Sequence, residues 1–191
     1  VQKQALAPAQ AIPVKIAIVG GGSYSWGPLF VRDLLFAPEL AQATIVLHDI
    51  DLHALDTVYG LAQRIAAAYG RGVIERTTVL DEALAGADFV ILTITTGGLE
   101  AMRYDLEIPE KYGVYHSVGD TVGPGGIARA LRNIPVVVDL AQRMERLCPN
   151  AWLLNYTNPL TVLCRAVTRT SSIRTIGLCH EWHGVRNRLA R

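Results

Sequence analysis

Six short apolar runs, rich in β-branched residues, recur along the chain at residues 15–19, 44–47, 73–79, 88–94, 151–154 and 173–178, and each reads as a strand. Hydrophobicity within them is continuous rather than alternating, as in Phe89-Val90-Ile91-Leu92, which predicts strands covered on both faces, the condition of a parallel sheet. Between the runs the period becomes helical. Leu52, Leu55, Val58, Ala62, Ile65 and Tyr69 fall on one face, with Asp51 in the N-cap position, and predict a helix over 52–69. A second helical stretch spans 126–147; Pro135 inside it predicts a kink or two shorter helices, and Pro149-Asn150 closes it. The alternation of strands and helices builds two β-α-β-α-β halves, so the expected fold is α/β, a Rossmann-like, doubly wound and mostly parallel sheet.

With 191 residues the chain can bury one complete core. Half of the residues are hydrophobic, 18% are charged and the formal net charge is +1, which excludes disorder and a nucleic-acid-binding surface and leaves a small molecule as the expected partner. No apolar run reaches the roughly 18 residues of a membrane span, and residues 1–13 carry too little apolar length for a secretory signal. A cytoplasmic protein is expected, with residues 1–13 an extension outside the fold. Cys148, Cys164 and Cys179 are odd in number and widely spaced, unlike a disulfide framework, so reduced thiols are expected, the first two on packed helix faces.

Candidate chemistry gathers where strands end. Gly20, Gly22 and Ser25 occupy the places of a G-x-G-x-x-G turn between the first strand and a helix, where the backbone can approach a pyrophosphate at the helix N-terminus; Ser25 replaces the third glycine and adds bulk where helix and strand pack. An ordinary glycine turn is the alternative. Asp49 ends the second strand, slightly later than the spacing of about 20 residues at which a ribose-binding acid follows the turn. Such a carboxylate favours NAD over NADP; otherwise Asp49 is a solvated turn residue. Thr95-Thr96-Gly97-Gly98 follows the fourth strand and brings backbone near a cofactor, or is a plain turn. Gly119-Asp120-Thr121-Val122-Gly123-Pro124-Gly125-Gly126 is too glycine-rich to be packed, and reads as a closing segment or a flexible connection. After the fifth strand, Asn155 and Asn158 bring two amides to the sheet's carboxyl edge, to bind a sugar hydroxyl or nicotinamide, or with Asn158 as the N-cap of a helix starting at Pro159. The sixth strand ends in Cys179-His180, a thiolate able to take a soft or borderline divalent cation, or else a buried thiol beside a surface imidazole.

Taken together, Val19-Gly20-Gly21-Gly22-Ser23, His48-Asp49-Ile50-Asp51, Ile108-Pro109-Glu110-Lys111-Tyr112-Gly113-Val114, Gly119-Asp120-Thr121, Gly123-Pro124-Gly125-Gly126-Ile127, Leu153-Leu154-Asn155-Tyr156-Thr157-Asn158-Pro159 and Gly177-Leu178-Cys179-His180 resemble family 4 of the glycoside hydrolases. The Cys-His form is similar to the branch acting on unphosphorylated α-linked sugars, the α-galactosidases, α-glucosidases and α-galacturonidases. The resemblance implies NAD and a divalent metal, usually Mn2+, as cofactors. It implies cofactor contacts from Gly20, Gly22, Ser23, Asp49, Thr95, Gly97 and Asn155, a sugar contact from Asn158, metal ligation by Cys179, and catalytic places for His180 and Asp120. The implied reaction departs from the two-carboxylate scheme of most glycosidases: hydride leaves sugar C3, the C2 proton is lost, and the C1 substituent is eliminated before water and hydride return. A small α-glycoside is the implied partner, without nucleic acid or membrane, in a homodimer or homotetramer.

Family members continue past the Cys-His pair with a second metal-binding histidine, a catalytic tyrosine and most of a substrate domain. The expected organisation is therefore an NAD-binding domain over 14–178 and the beginning of a truncated substrate domain over 179–191, inactive alone. Two other readings stand at this point. One is a 2-hydroxy-acid dehydrogenase of the lactate/malate kind, which shares the glycine turn, the acid after strand two and the Asn-Pro. The other is a nucleotide-binding fragment without activity.

Overall fold

The computed structural model describes residues 11–179 and 181–190, the side chain of His183 apart. All six expected strands are present, as β1 Lys15–Val19, β2 Thr44–His48, β3 Val73–Thr77, β4 Phe89–Leu92, β5 Trp152–Asn155 and β6 Arg174–Gly177. They form one sheet in the order β3-β2-β1-β4-β5-β6, the doubly wound arrangement. Pairing is parallel, with Ile16 opposite Ile45, Ile45 opposite Ile74 and Leu153 opposite Thr175. The helices between them are α1 Gly27–Phe36, α2 Leu52–Tyr69, α3 Leu80–Leu84, α4 Gly98–Glu110, α5 Gly123–Leu147, α6 Leu160–Thr170 and α7 Glu181–Leu189. The chain divides into two compact units after Val90.

In the first unit, the last four positions of both β1 and β2 are buried, as continuous hydrophobicity requires. Helix α2 has the expected bounds. The Asp51 carboxylate accepts from the amides of His53 at 2.9 Å and Ala54 at 3.1 Å, while Leu55, Val58 and Ala62 are buried. Leu52, expected on that face, is instead exposed at the first position, before the helix has turned its stripe inward. Strand β3 stops two residues earlier than expected, because the Thr77 hydroxyl accepts the Val79 amide at 3.0 Å and turns the chain toward α3. Only Ile74 of β3 is buried, consistent with a polar edge strand that has one neighbour.

In the second unit, α5 is one helix of 25 residues rather than two. Pro135 removes one backbone hydrogen bond, but Ala130, Asn133, Val137, Leu140, Ala141 and Met144 continue a buried face on both sides of it, and packing prevails. The helix also starts three residues earlier than expected. Pro124 lies in its first turn and Gly125 and Gly126 are buried. A Cβ on Gly125 would stand 2.7 Å from the Gly119 carbonyl oxygen and 2.8 Å from that of Asp105, so the end of this glycine-rich stretch is tightly packed, although Thr121, Val122 and Pro124 are exposed. Helix α4 is tied to α5 by a forked ion pair. Arg132 Nη1 donates to Asp105 Oδ1 at 2.9 Å, Arg132 Nη2 donates to Oδ2, and Asp105 is 5% exposed. The hydrogen-bonded Asp105 raises the Arg132 pKa above its ordinary value. Cys148 is buried at the end of α5 and Cys164 half-buried on α6, in keeping with packing roles. Among the described residues no helix is long and apolar enough to cross a membrane.

Candidate functional site

The glycine turn of the first unit is held from below by β2. The amides of Gly20 and Gly21 both donate to the His48 carbonyl, at 2.9 and 2.8 Å, and Gly20 takes a left-handed φ of 92°. A Cβ on Gly21 would lie 3.0 Å from the Ile18 oxygen, the Leu47 Cα and the His48 nitrogen, which is why the middle residue of the turn has no side chain. Asp49 then closes the turn. Its Oδ2 accepts the Gly22 amide at 2.9 Å and its Oδ1 accepts the Asp51 amide at 3.1 Å, so it is a half-buried clasp rather than a merely solvated turn residue. Ser23 Oγ accepts the Trp26 amide at 3.2 Å and sets the entry to α1.

The close helix packing expected at Ser25 falls elsewhere. Ser25 is exposed, and the constraint sits at Gly27, whose Cβ would stand 2.7 Å from the Gly21 oxygen and 2.8 Å from Val58 Cγ1. The glycine is displaced by two residues because the chain makes an extra turn before α1. Gly27 followed by Pro28 was the available sequence signal.

His48, beneath the turn, is 5% exposed, and its Nδ1 has no hydrogen-bond partner. Burial lowers its pKa below 6.5, against the opposing charge of Asp49 and a hydrogen bond with the Thr78 backbone. A histidine with a folded pKa below its unfolded value binds more protons when unfolded. Its effect is nil above about pH 6.5 and destabilises the fold as pH falls from there toward the lowered pKa. Urea midpoints are expected to drop over that window, and His48→Gln is expected to flatten that part of the profile; an unchanged slope in the variant would assign the titration to another group.

In the second unit, the loop after β5 carries the amides. Asn155 is 1% exposed. Its Nδ2 donates to the Thr157 carbonyl at 3.1 Å and to Cys164 Sγ at 3.6 Å, while its Oδ1 accepts the Thr157 amide at 2.9 Å. Both ends of the side chain are therefore committed to the loop, and Asn155 shapes the site from within instead of presenting its amide. Thr157 Oγ1 in turn accepts the Ile94 amide at 2.9 Å, tying this loop to the end of β4. Thr95 accepts the Gly98 amide through its carbonyl at 3.2 Å, and Gly97, at φ 83°, leads into α4; both residues lie at the surface.

Asn158 is not the N-cap of α6. Pro159 stands in the cap position, α6 starts at Leu160, and the Asn158–Pro159 peptide is cis. The freed Asn158 side chain donates from Nδ2 to Asp120 Oδ2 at 2.8 Å, bringing together two expected site residues 38 positions apart. Sequence reasoning passed over the group that anchors them: Asn133 is fully buried, donates to the Asn158 carbonyl at 2.9 Å and accepts the Thr96 amide at 3.3 Å. An asparagine inside a long amphipathic helix was the signal. Cys179 is exposed just past β6, and His180 lies outside the described residues. Among the described residues there is no group of three His, Cys, Asp or Glu side chains able to hold a metal.

A parallel, doubly wound sheet whose first strand ends in a glycine turn clasped by the acid of the second is the fold class that binds dinucleotides. The model of the family described as Family 4 glycosyl hydrolase matches residues 15–191, and the chain belongs to that family. An alpha-galacturonidase of Thermoanaerobacterium saccharolyticum is 42% identical over 182 residues, covering 93% of this chain. The chain spans 39% of that relative's length. A 6-phospho-beta glucosidase from Thermotoga maritima, solved with manganese, NAD+ and glucose-6-phosphate, superposes with a TM-score of 0.83 at 29% identity, covering 93% of this chain and 42% of that one. A lactate dehydrogenase from Eimeria maxima superposes with a TM-score of 0.58 at 20% identity, covering 87% of this chain and 44% of that one, a likeness of fold alone.

Proposed function

We propose that the chain is the NAD-binding part of an NAD- and metal-dependent glycosidase that hydrolyses α-linked glycosides through oxidation at C3, loss of the C2 proton and elimination at C1. The observation that carries this reading is the Asp120–Asn158 hydrogen bond, which joins the amide that the family resemblance puts at the sugar to the acid that it puts near the active site. Residues 14–178 are the NAD-binding domain in this reading, and 179–191 begin the substrate domain.

The first unit suits a dinucleotide. Bare backbone at Gly21 and Gly22, where a Cβ would meet the strand backbone or Asp49, leaves room for a pyrophosphate beside Gly20, Gly22 and Ser23 at the start of α1. Asp49 is fixed by two amides and keeps lone pairs for the ribose hydroxyls, which selects NAD against a 2′-phosphate. Thr95 and Gly97, both at the surface, keep the cofactor-contacting places that the resemblance assigns. NAD supplies a reversible hydride acceptor, so the cofactor is regenerated within each turnover and the net reaction is hydrolysis. Asn158 holds a sugar hydroxyl, and Asp120 orients Asn158 and serves as the nearby proton-handling acid. Asn155 keeps the loop in place. Cys179 is one thiolate donor for Mn2+ or another divalent cation, and the described residues alone do not complete a metal site. His180 retains the catalytic place that the resemblance assigns. A cytoplasmic homodimer or homotetramer fits this reading.

A panel of p-nitrophenyl α-glycosides tests it on a form of the chain extended to the family's length, with NAD+ and Mn2+ supplied and reductant present or withheld. Release that requires both cofactors is expected. Release that survives removal of both would overturn the mechanism. Hydride exchange with lactate or malate without added metal would support the dehydrogenase, and NAD+ binding without hydrolysis in a form extended to the family's length would support a binding fragment.

A further inference from the structure

Two loops of the second unit, at the carboxyl ends of the neighbouring strands β4 and β5, carry residues that the glycosidase reading gives to the two reactants: Thr95 and Gly97 to the cofactor, Asn158 to the sugar. One side chain reaches both loops. Asn133, fully buried within α5, accepts the Thr96 amide on Oδ1 at 3.3 Å and donates from Nδ2 to the Asn158 carbonyl at 2.9 Å. Two arginines of the same helix grip the same residues: Arg132 Nε donates to the Thr96 carbonyl at 3.4 Å, and Arg129 Nε to the Asn158 carbonyl at 3.3 Å. The Asn158 side chain stays outside this grip and meets Asp120. A second tie, the Thr157 hydroxyl accepting the Ile94 amide at 2.9 Å, joins the loops at their bases, whereas Asn133 reaches Thr96 and Asn158 themselves.

Helix packing alone calls for an apolar residue at position 133, which lies on the buried face between Ala130 and Val137. Asparagine is a poor helix former, and its burial is unfavourable unless its amide is satisfied. Here one partner donates and the other accepts, so the two ends of the amide are not interchangeable and its orientation is fixed. We infer that Asn133 is a positioning residue: its amide sets Asn158 in register with the cofactor loop, so that ordering of residues 95–97 by NAD+ is passed to the residue that meets the sugar. The inference rests on the glycosidase reading above.

Two variants in a form extended to the family's length test this, by NAD+ titration and by turnover of the p-nitrophenyl α-glycoside that the wild type cleaves fastest. Asn133→Asp keeps an acceptor for the Thr96 amide and, when ionised, has no donor for the Asn158 carbonyl. Its NAD+ dissociation constant is expected to stay within about twofold of wild type, while kcat at neutral pH falls about a hundredfold and KM moves less, as a misplaced sugar contact implies. As pH falls toward about 5, the protonated carboxyl regains an O–H donor, and the variant-to-wild-type ratio of kcat is expected to rise. Asp105, Asp120, Arg129 and Arg132, the charged groups around this position, are common to both proteins, so the ratio isolates residue 133. Asn133→Leu removes both contacts and is expected to weaken NAD+ about tenfold as well as slow turnover. Wild-type turnover by Asn133→Asp, a ratio unmoved by pH, or equal weakening of NAD+ by both variants would overturn the proposal. Should either variant not fold, hydrogen exchange of the wild type decides: NAD+ is expected to slow the amides of Thr96 and of residues 155–158 together, and protection confined to the loop after β4 would overturn it. Cofactor-dependent hydrolysis by the wild type with unaffected variants would sink the Asn133 assignment alone, whereas its absence in the wild type would overturn the glycosidase reading with it.

Discussion

Asp49→Ala is expected to weaken NAD+ binding by about two orders of magnitude, because one carboxylate serves two purposes. It closes the glycine turn through the Gly22 amide at 2.9 Å and the Asp51 amide at 3.1 Å, and in the proposed complex it accepts the adenosine ribose hydroxyls. Hydrogen bonds to a charged acceptor contribute roughly 1.5–3 kcal/mol each, and loss of the clasp adds disorder in the turn that must be reversed on binding. Asp49→Asn keeps an oxygen for the Gly22 amide and is expected to fall between wild type and alanine. It is also expected to narrow the preference for NAD+ over NADP+, since the repelling charge is gone. Equilibrium titration of both variants with both cofactors measures this. An alanine variant with wild-type NAD+ affinity would show that the acid has neither role.

Arg132→Met is expected to destabilise the fold by about 3 kcal/mol, the largest stability effect among these changes, read as a shift of the urea midpoint at unchanged slope. The variant leaves Asp105, 5% exposed, without the guanidinium that satisfies both of its oxygens. Arg132 also donates from Nε to the Thr96 carbonyl at 3.4 Å, so the loop after β4 loses a support at the same time. Because the penalty comes from a stranded charge rather than from lost attraction, Arg132→Met combined with Asp105→Leu is expected to recover most of it. A double variant no more stable than the single one would assign the loss to packing of the Arg132 stem.

Much of this protein was determined by local pattern. Continuous apolar runs marked β1, β2 and β4, whose residues are nearly all buried, and helical spacing behind Asp51 marked both ends of α2, because burial on two faces and a capped stripe are properties of neighbouring residues. The glycine turn and the acid that closes it, Asp49, were legible for the same reason, and longer motifs singled out Asp120 and Asn158, which a hydrogen bond joins.

Tertiary structure decided whatever depended on a partner distant in the chain. Pro135 argues locally for a broken helix, but a buried face running through it keeps α5 whole. Asn155 and Asn158 look alike in sequence, yet one is sealed into its own loop and the other is turned toward Asp120, because Thr157 and Cys164 meet the first and a residue 38 positions earlier meets the second. The tight glycine lies at Gly27 and not at position 25 because α1 packs on Val58 at a depth that would set a Cβ of residue 27 only 2.7 Å from the Gly21 carbonyl oxygen. Periodicity reports which face of an element is buried; which side chains meet there is fixed only when the elements dock.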